Sequence, residues 1–373
     1  MAKGIYIGVG GAARKVKNIY AGVGGVARRV KKAYIGVGGV ARCFYSRDIE
    51  YYGTATALSS GRRGLAATTV GSYALFGGGY GTGYSAIVDA YNASLTRSTA
   101  AILSQYAEWL AATTVGNYAL FGGGVSSSTS YSYRVDAYNT SLTKSTVESL
   151  SVARANLAAT TVGSYALFGG GNSNSKYMTV DAYNTSLTKS TTSGLSAART
   201  SLAATTVGSY ALFGGGNASD YLSTVDAFNT SLTRSIPTAL SVARANLAAT
   251  TVGSYALFGG GHYFTDSYVH TSTVDAYNTS LTRSIPTVLS VGRRELAATT
   301  VGEYALFGGG VNGYGTNNNL STVDAYNTGL TRSIPTALSV GRVRLAATTV
   351  GSYALFGGGY GTGYSAIVDA YTA

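Results

Sequence analysis

Cysteine, histidine, proline and charge are all scarce in this 373-residue chain, and each shortage excludes something. The single cysteine, Cys43, rules out an intrachain disulfide and any multi-cysteine zinc site. Two histidines, His262 and His270, leave little for metal or acid–base chemistry. Charged residues make up only 11%, against about 25% in an ordinary domain, and a helical bundle would need Glu, Lys and Leu in quantity. No apolar run is long enough for a membrane span, and the N-terminus MAKGIYIGVGG lacks the apolar stretch of a secretory signal. The expectation is synthesis in a reducing cytoplasm, which leaves export by lysis or within a particle open.

What is abundant points one way. There are 51 glycines and 31 tyrosines, and 45% of residues are hydrophobic, enough for a sizeable core. Short strands joined by tight turns suit this composition, so the chain reads as all-β. The net charge of +12 is unevenly placed. Residues 1–46 hold nine Lys/Arg and no acid, whereas the remaining 18 basic and 15 acidic residues leave a net of only +3. The basic character belongs to the N-terminal segment.

Two nested sets of repeats divide the chain into residues 1–46 and 47–373. Residues 5–46 are three copies of a 14-residue unit, IYIGVGGAARKVKN, IYAGVGGVARRVKK and AYIGVGGVARCFYS. Each predicts two short strands around a Gly-Gly turn. Three such units bury little apolar surface alone, so the segment is expected to associate with copies of itself or with a partner. Its charges recur at fixed strand positions rather than in a disordered arm, which argues for a solvated β face or an acidic protein partner over nucleic acid.

From residue 65 the string LAATTVGxYALFGGG begins at Leu65, Leu110, Leu157, Leu202, Leu247, Leu296 and Leu345, at spacings of 45–49 residues. Each copy continues through a variable loop into V-D-A-Y/F, and six run on through N-x-S/G-L-T-R/K-S. Four short strands in such a period predict a blade of a β-propeller. LAATTV is read as strand A, YALFG as B, the segment around VDAY as C, and LTRSIPTAL or its equivalent as D. Strand A, built of Ala and Thr, suits the crowded axis. Pro237, Pro286 and Pro335 fall in the D segments, which places D at the outer edge. The seventh copy ends after strand C, and residues 52–65 (YGTATALSSGRRGL) parallel 332–345 (RSIPTALSVGRVRL). The expected ring therefore has seven blades, the last closed by an N-terminal strand D that removes open sheet edges.

The double glycine after strand B (Gly77-Gly78), an aromatic in strand C (Tyr91) and an arginine before strand A (Arg154) resemble the kelch repeat over residues 48–373. The likeness departs where a tryptophan is expected near strand D, since Thr-Arg or Thr-Lys stands there and the sole tryptophan, Trp109, sits beside a strand A. Kelch membership implies a propeller and often a binding role. Some kelch propellers are copper oxidases that use a cysteine, but Cys43 lies outside the propeller, and no cofactor is expected. The unit YIGVGGVAR, with VKK at the end of the copy before it, resembles short repeats of phage and prophage tail-associated proteins, which implies an attachment segment carrying a recognition head.

The B–C loops are where the blades differ, and Tyr, Ser, Asn and Gly dominate them, as in binding paratopes. The ordinary alternative is that surface loops tolerate drift. Candidate ligand-binding residues are Tyr80, Tyr84, Tyr131, Tyr133, Tyr177, Tyr221, Tyr263, Phe264, Tyr268 and Tyr314. The D–A links on the same face carry Arg62, Arg154, Arg199, Arg244, Arg293 and Arg342, with Ala107 in that place in blade two. Such a ring either binds anionic ligands or, as is commoner, pairs with the repeated aspartate of VDAY. His262 and His270 share one loop, where polar surface is the plainer role than a metal site. Gly-rich strings such as GVGG open no helix after a strand, which excludes a phosphate loop. No acid pair breaks the repeat in a way that marks catalysis.

The expectation is a non-catalytic, homo-oligomeric recognition protein of a phage or phage-like tail. Its B–C loops would bind a bacterial surface glycan or protein receptor, and residues 1–46 would attach to a tail or baseplate protein or to one another. The alternatives are a glycan-acting propeller hydrolase or epimerase, and an intracellular kelch-type adaptor.

Overall fold

Four short strands make each blade, and their sequences set their places from axis to rim. The computed structural model describes residues 48–313 and 318–373, together with the backbone of 6–9, 12–15, 19–23, 26–30, 32–37 and 40–46. The chain divides into two compact units between Ile49 and Glu50, three residues beyond the boundary expected from the repeats. In the first unit, three antiparallel hairpins pair Tyr6–Val9 with Ala12–Lys15, Tyr20–Val23 with Val26–Arg29, and Lys32–Val37 with Val40–Ser46. Two residues separate the strands of every hairpin, as the Gly-Gly pairs predict. Apart from Ile19 and Val30, the side chains of this segment, its basic residues and Cys43 included, lie outside the described part.

The second unit holds seven four-stranded antiparallel sheets, each in the order A-B-C-D, and no α-helix occurs among the described residues. In blade three, for example, A is Ala158–Val162, B is Tyr165–Gly169, C is Val180–Asn184 and D is Lys189–Thr191. The A strands alternate buried and half-buried residues, whereas B and C are almost wholly buried because neighbouring blades cover both faces. The core accordingly lies between blades: Val162, Leu167 and Val180 of blade three pack with Ala211, Phe213 and Phe228 of blade four.

The threonines of AATTV explain why strand A tolerates the crowded axis. Seven side-chain hydrogen bonds link successive blades, from Thr68–Thr114 at 2.8 Å round to Thr69–Thr348 at 2.9 Å. Hydroxyls thus satisfy one another where polar groups would otherwise be buried unpaired. The Ala-Thr-Thr positions of all seven A strands line an axial channel of about 380 Å³. Close approach between blades also requires the first glycine of GGG. A Cβ on Gly169 would come within 2.7 Å of the Phe213 ring of the next blade.

Ring closure follows the expected route. Glu50–Thr54 pairs antiparallel with Val368–Thr372 and completes the seventh sheet, with a bulge at Ala370/Tyr371. Tyr51 takes the place that Arg or Lys holds in the other D strands and donates its hydroxyl to Asp369 at 2.7 Å. Burial and that carboxylate push the Tyr51 hydroxyl up to about 12.

Strand D is shorter than the sequence suggests, and the three prolines lie beyond it. Where Ile-Pro follows, D has two residues, as in Arg234–Ser235; where Thr follows, it has three, as in Lys144–Thr146. In blade two the Val147 N–H bonds the Val135 carbonyl at 3.2 Å. Pro237 stands at the equivalent position and has no N–H to give, so the ladder stops early.

Candidate functional site

The B–C loops and D–A links share one end of the propeller and are stitched together there. The residue after each link arginine, or after Ala107, forms an isolated antiparallel bridge with the first loop residue, for example Arg63 with Tyr80, Glu108 with Val125 and Ala245 with His262. Blade five departs from a simple loop. Its residues His262–Phe264 and Tyr268–His270 form a separate hairpin.

The six link arginines lie inside the blades rather than on this face. Each is fully buried and pairs with the VDAY aspartate of its own blade, Arg62–Asp89 at 2.6 Å, Arg154–Asp181 at 2.8 Å and Arg199–Asp226 at 2.5 Å among them. Arg244, Arg293 and Arg342 repeat the arrangement with Asp275, Asp324 and Asp369. Each guanidinium also donates to the phenylalanine carbonyl of strand B, and a serine of the preceding link bonds the aspartate, as Ser196 does Asp226. Burial lowers the proton affinity of Arg154, Arg199, Arg244 and Arg293, and their aspartates oppose it. In blade two Ala107 leaves Asp136 to Ser104 and, at 3.8 Å, Lys144.

The candidate aromatics fall into groups. Tyr80 meets Tyr84 and, from blade seven, Tyr364 at ring distances of 5.0 and 5.7 Å, with the Arg63 guanidinium 5.8 Å from the Tyr80 ring. In blade five, Phe264 and Tyr268 pair across the hairpin at 5.1 Å and are among the exposed large apolar residues. Tyr133 is also exposed, with Arg134 5.3 Å from its ring. Tyr131 and Tyr263 are half-buried, Tyr177 shares a hydrogen bond with Ser173, and Tyr221 packs edge-on against His262. Tyr314 lies outside the described residues. A groove of about 500 Å³ opens between the loops of blades three and four.

The histidines correct an expectation. His262 is 5% exposed, not polar surface, because the hairpin folds it against Tyr221 and Tyr268. Burial, with Arg294 nearby, lowers it to about 4 and lowers His270 as well. Among the described residues no three His, Cys, Asp or Glu side chains gather as a metal site.

Sequence reasoning passed over the axial mouth. The residue just before each LAATTV is Gly64, Trp109, Asn156, Ser201, Asn246, Glu295 and Arg344 in turn. All seven adopt left-handed backbone, with φ of 52–63°. Each donates its N–H to the carbonyl of its counterpart in the preceding blade at 2.9–3.0 Å, which closes a hydrogen-bonded ring around the axis. With the seven leucines beneath, this ring lines a mouth of about 370 Å³. Left-handed backbone costs a residue other than Gly or Asn about 1–2 kcal/mol, so Trp, Glu and Arg are poor choices there on conformational grounds.

Charge gathers on one side of the mouth. Arg344 grips Glu295 with Nε–Oε2 at 2.6 Å and Nη2–Oε1 at 3.2 Å, and its guanidinium lies 6.0 Å from the Trp109 ring. Burial lowers the proton affinity of Arg344, but the Glu295 hydrogen bond, with the charges of Glu295 and Glu108, leaves it raised overall. Glu108 is 3% exposed and lies across Gly64, where a Cβ would stand 2.8 Å from its Oε1. Arg63 Nε is 3.4 Å from that oxygen without hydrogen-bond geometry, and burial raises the Glu108 carboxyl despite both arginines. The signal that could have found this site was a position that differs between blades inside an otherwise uniform string.

No protein-family model and no curated protein matches the chain. Among solved structures, 631 chains match its fold, and so wide a spread leaves function undecided by fold. One of them, described as "Structure of YjhT", aligns over 75% of this chain and 99% of its own with a TM-score of 0.58 and 12% identity. What the two share is the fold, and the chain is a seven-bladed β-propeller preceded by three β-hairpins.

Proposed function

We propose that this chain is a non-catalytic recognition protein of kelch type, whose propeller binds a surface ligand such as a glycan through the end carrying its B–C loops. One observation carries this reading. Apart from strand D and the segment after it, the blades differ almost only at that end, in the loops, the bridging residues and the axial ring. The turn after strand A at the other end is nearly uniform, with Ser72, Ser164, Ser209, Ser254 and Ser352 in five of seven blades. A repeat that keeps its scaffold and diversifies one end is suited to an asymmetric partner, and exposed aromatics such as Phe264 and Tyr268 are the side chains that dominate such contacts. The N-terminal hairpins serve as attachment, to copies of the chain or to a tail or baseplate protein of a phage-like particle.

The test is binding to glycan arrays and to bacterial cells. Substitutions on the variable end, Phe264→Ala with Tyr268→Ala, should reduce it, whereas Ser164→Arg with Ser209→Arg on the opposite turns should not. Equal binding by all variants would sink the proposal. An enzyme reading draws on one observation: Glu108 and Glu295 break the repeat symmetry and both approach Arg344. Turnover of a glycan by the parent, lost in Glu295→Gln, would favour it.

A further inference from the structure

We propose that the axial mouth is the anchoring subsite of the variable end, and that it takes a single neutral, polyhydroxyl unit the size of a sugar ring. This rests on the reading of that end as a recognition surface. The first argument is strain. Trp109, Ser201, Glu295 and Arg344 all occupy left-handed backbone at a position that Gly64 fills without strain and that Asn156 and Asn246 fill cheaply. Nothing in the closed ring of backbone hydrogen bonds requires those side chains, because every N–H in it is already satisfied by a carbonyl. Strained residues held by their surroundings mark sites where the side chain itself is needed.

The second argument is chemical. The floor of the mouth is leucine and one wall is the indole of Trp109, 37% exposed, so an apolar ring face has somewhere to lie. Above it stand groups that want opposite hydrogen-bonding partners. The amides of Asn156 and Asn246 and the hydroxyl of Ser201 both donate and accept, the Glu295 carboxylate accepts and the Arg344 guanidinium donates. A hydroxyl satisfies all of these. An anion would meet Glu295 and a cation would meet Arg344, which already pair with each other, so neither net charge suits the mouth. The volume of about 370 Å³ lies at the low end of the range for small-molecule sites, which limits the occupant to a small unit.

Trp109 is the only tryptophan in the chain, so its emission reports on this mouth alone. The full chain is titrated with free hexoses and N-acetylhexosamines at millimolar concentrations, with indole-selective excitation. A saturable change in emission with at least one sugar is expected. Asn246→Phe, which fills the mouth three blades from Trp109, should abolish it, and Asn156→Gly, which keeps the left-handed backbone but removes an amide that lines the mouth, should weaken binding by about tenfold. By circular dichroism Asn156→Gly should melt within a degree or two of the parent, and Asn246→Phe, which puts a bulky residue in left-handed backbone, a few degrees lower in one cooperative transition. No response to any sugar, or a response that survives Asn246→Phe, overturns the subsite. If array binding then still falls in Phe264→Ala with Tyr268→Ala, recognition by the loops stands without it; if array binding is absent as well, the recognition reading itself fails.

Discussion

A buried arginine and aspartate in every blade but one set the stakes for single substitutions. Arg199 and Asp226 are both fully buried and 2.5 Å apart, with Ser196 and the Phe213 carbonyl completing the network. Removing one partner strands the other charge, so Arg199→Met should cost about 3–5 kcal/mol in unfolding free energy, read from denaturant melts. Adding Asp226→Asn should recover part of that loss, because no uncompensated carboxylate then remains. Blade two, with Ala107, persists without the arginine because Ser104 and Lys144 attend Asp136 from the outer side.

His262 makes a second prediction at this scale. Its proton affinity falls from 6.5 to about 4 on folding, so the unfolded chain binds more protons between those values. The stability it contributes is therefore present above about pH 6.5 and is lost as pH falls towards 4. Arg294 and His270 oppose its charging and Glu295 favours it. The melting temperature of His262→Phe should thus fall less steeply than that of the parent across this window. Parallel profiles would show that His262 does not govern the acid side.

Among the elements, Glu50–Thr54 is the one on which the rest of the ring depends. Deleting residues 47–58 strips Val368–Thr372 of its partner and leaves an unpaired edge strand, along with a Tyr371 that has lost Tyr51. Aggregation or a large fall in melting temperature is expected; a monomer of parental stability would contradict the closure. The placement of this strand was readable because YGTATALSSGRRGL repeats the pattern of a D segment at the far end of the chain. The length of strand D was not readable. A run such as LTRSIPTAL has the apolar residues of a strand, but Pro237 withholds the N–H that Val147 supplies in blade two.

For the whole molecule, function should follow the asymmetric end. Replacing Tyr263, Phe264, Tyr268 and Tyr314 together with Ala should abolish target binding on cells or arrays and lower the melting temperature by only a few degrees, since the loss in blade five is confined to the hairpin that covers His262. Phe264 and Tyr268 stand clear of the core, at 54% and 42% exposure. Alanine at Tyr138 or Tyr183 should instead unfold or strongly destabilise the blade, since each is fully buried and its hydroxyl bonds a carbonyl of the preceding blade's D segment. If the loop variant binds as well as the parent, recognition lies elsewhere, in the N-terminal hairpins or at the mouth.

The repeats alone determined the blade count, the strand order and the closure, because each blade restates the same local pattern and a ring of such patterns has only one consistent arrangement. They also supplied the aspartate and arginine of each pair, although spacing could not say whether those guanidiniums face a ligand or their aspartates. Tertiary structure decided that, by burying each arginine against the aspartate of its own blade. It also decided where the site lies. Trp109, Glu295 and Arg344 are more than 40 residues apart in sequence and unremarkable there, but sevenfold closure brings the same position of every blade to one axis. Ring closure juxtaposes residues by blade geometry and not by sequence distance, so a site assembled at the axis is visible only once the ring is complete.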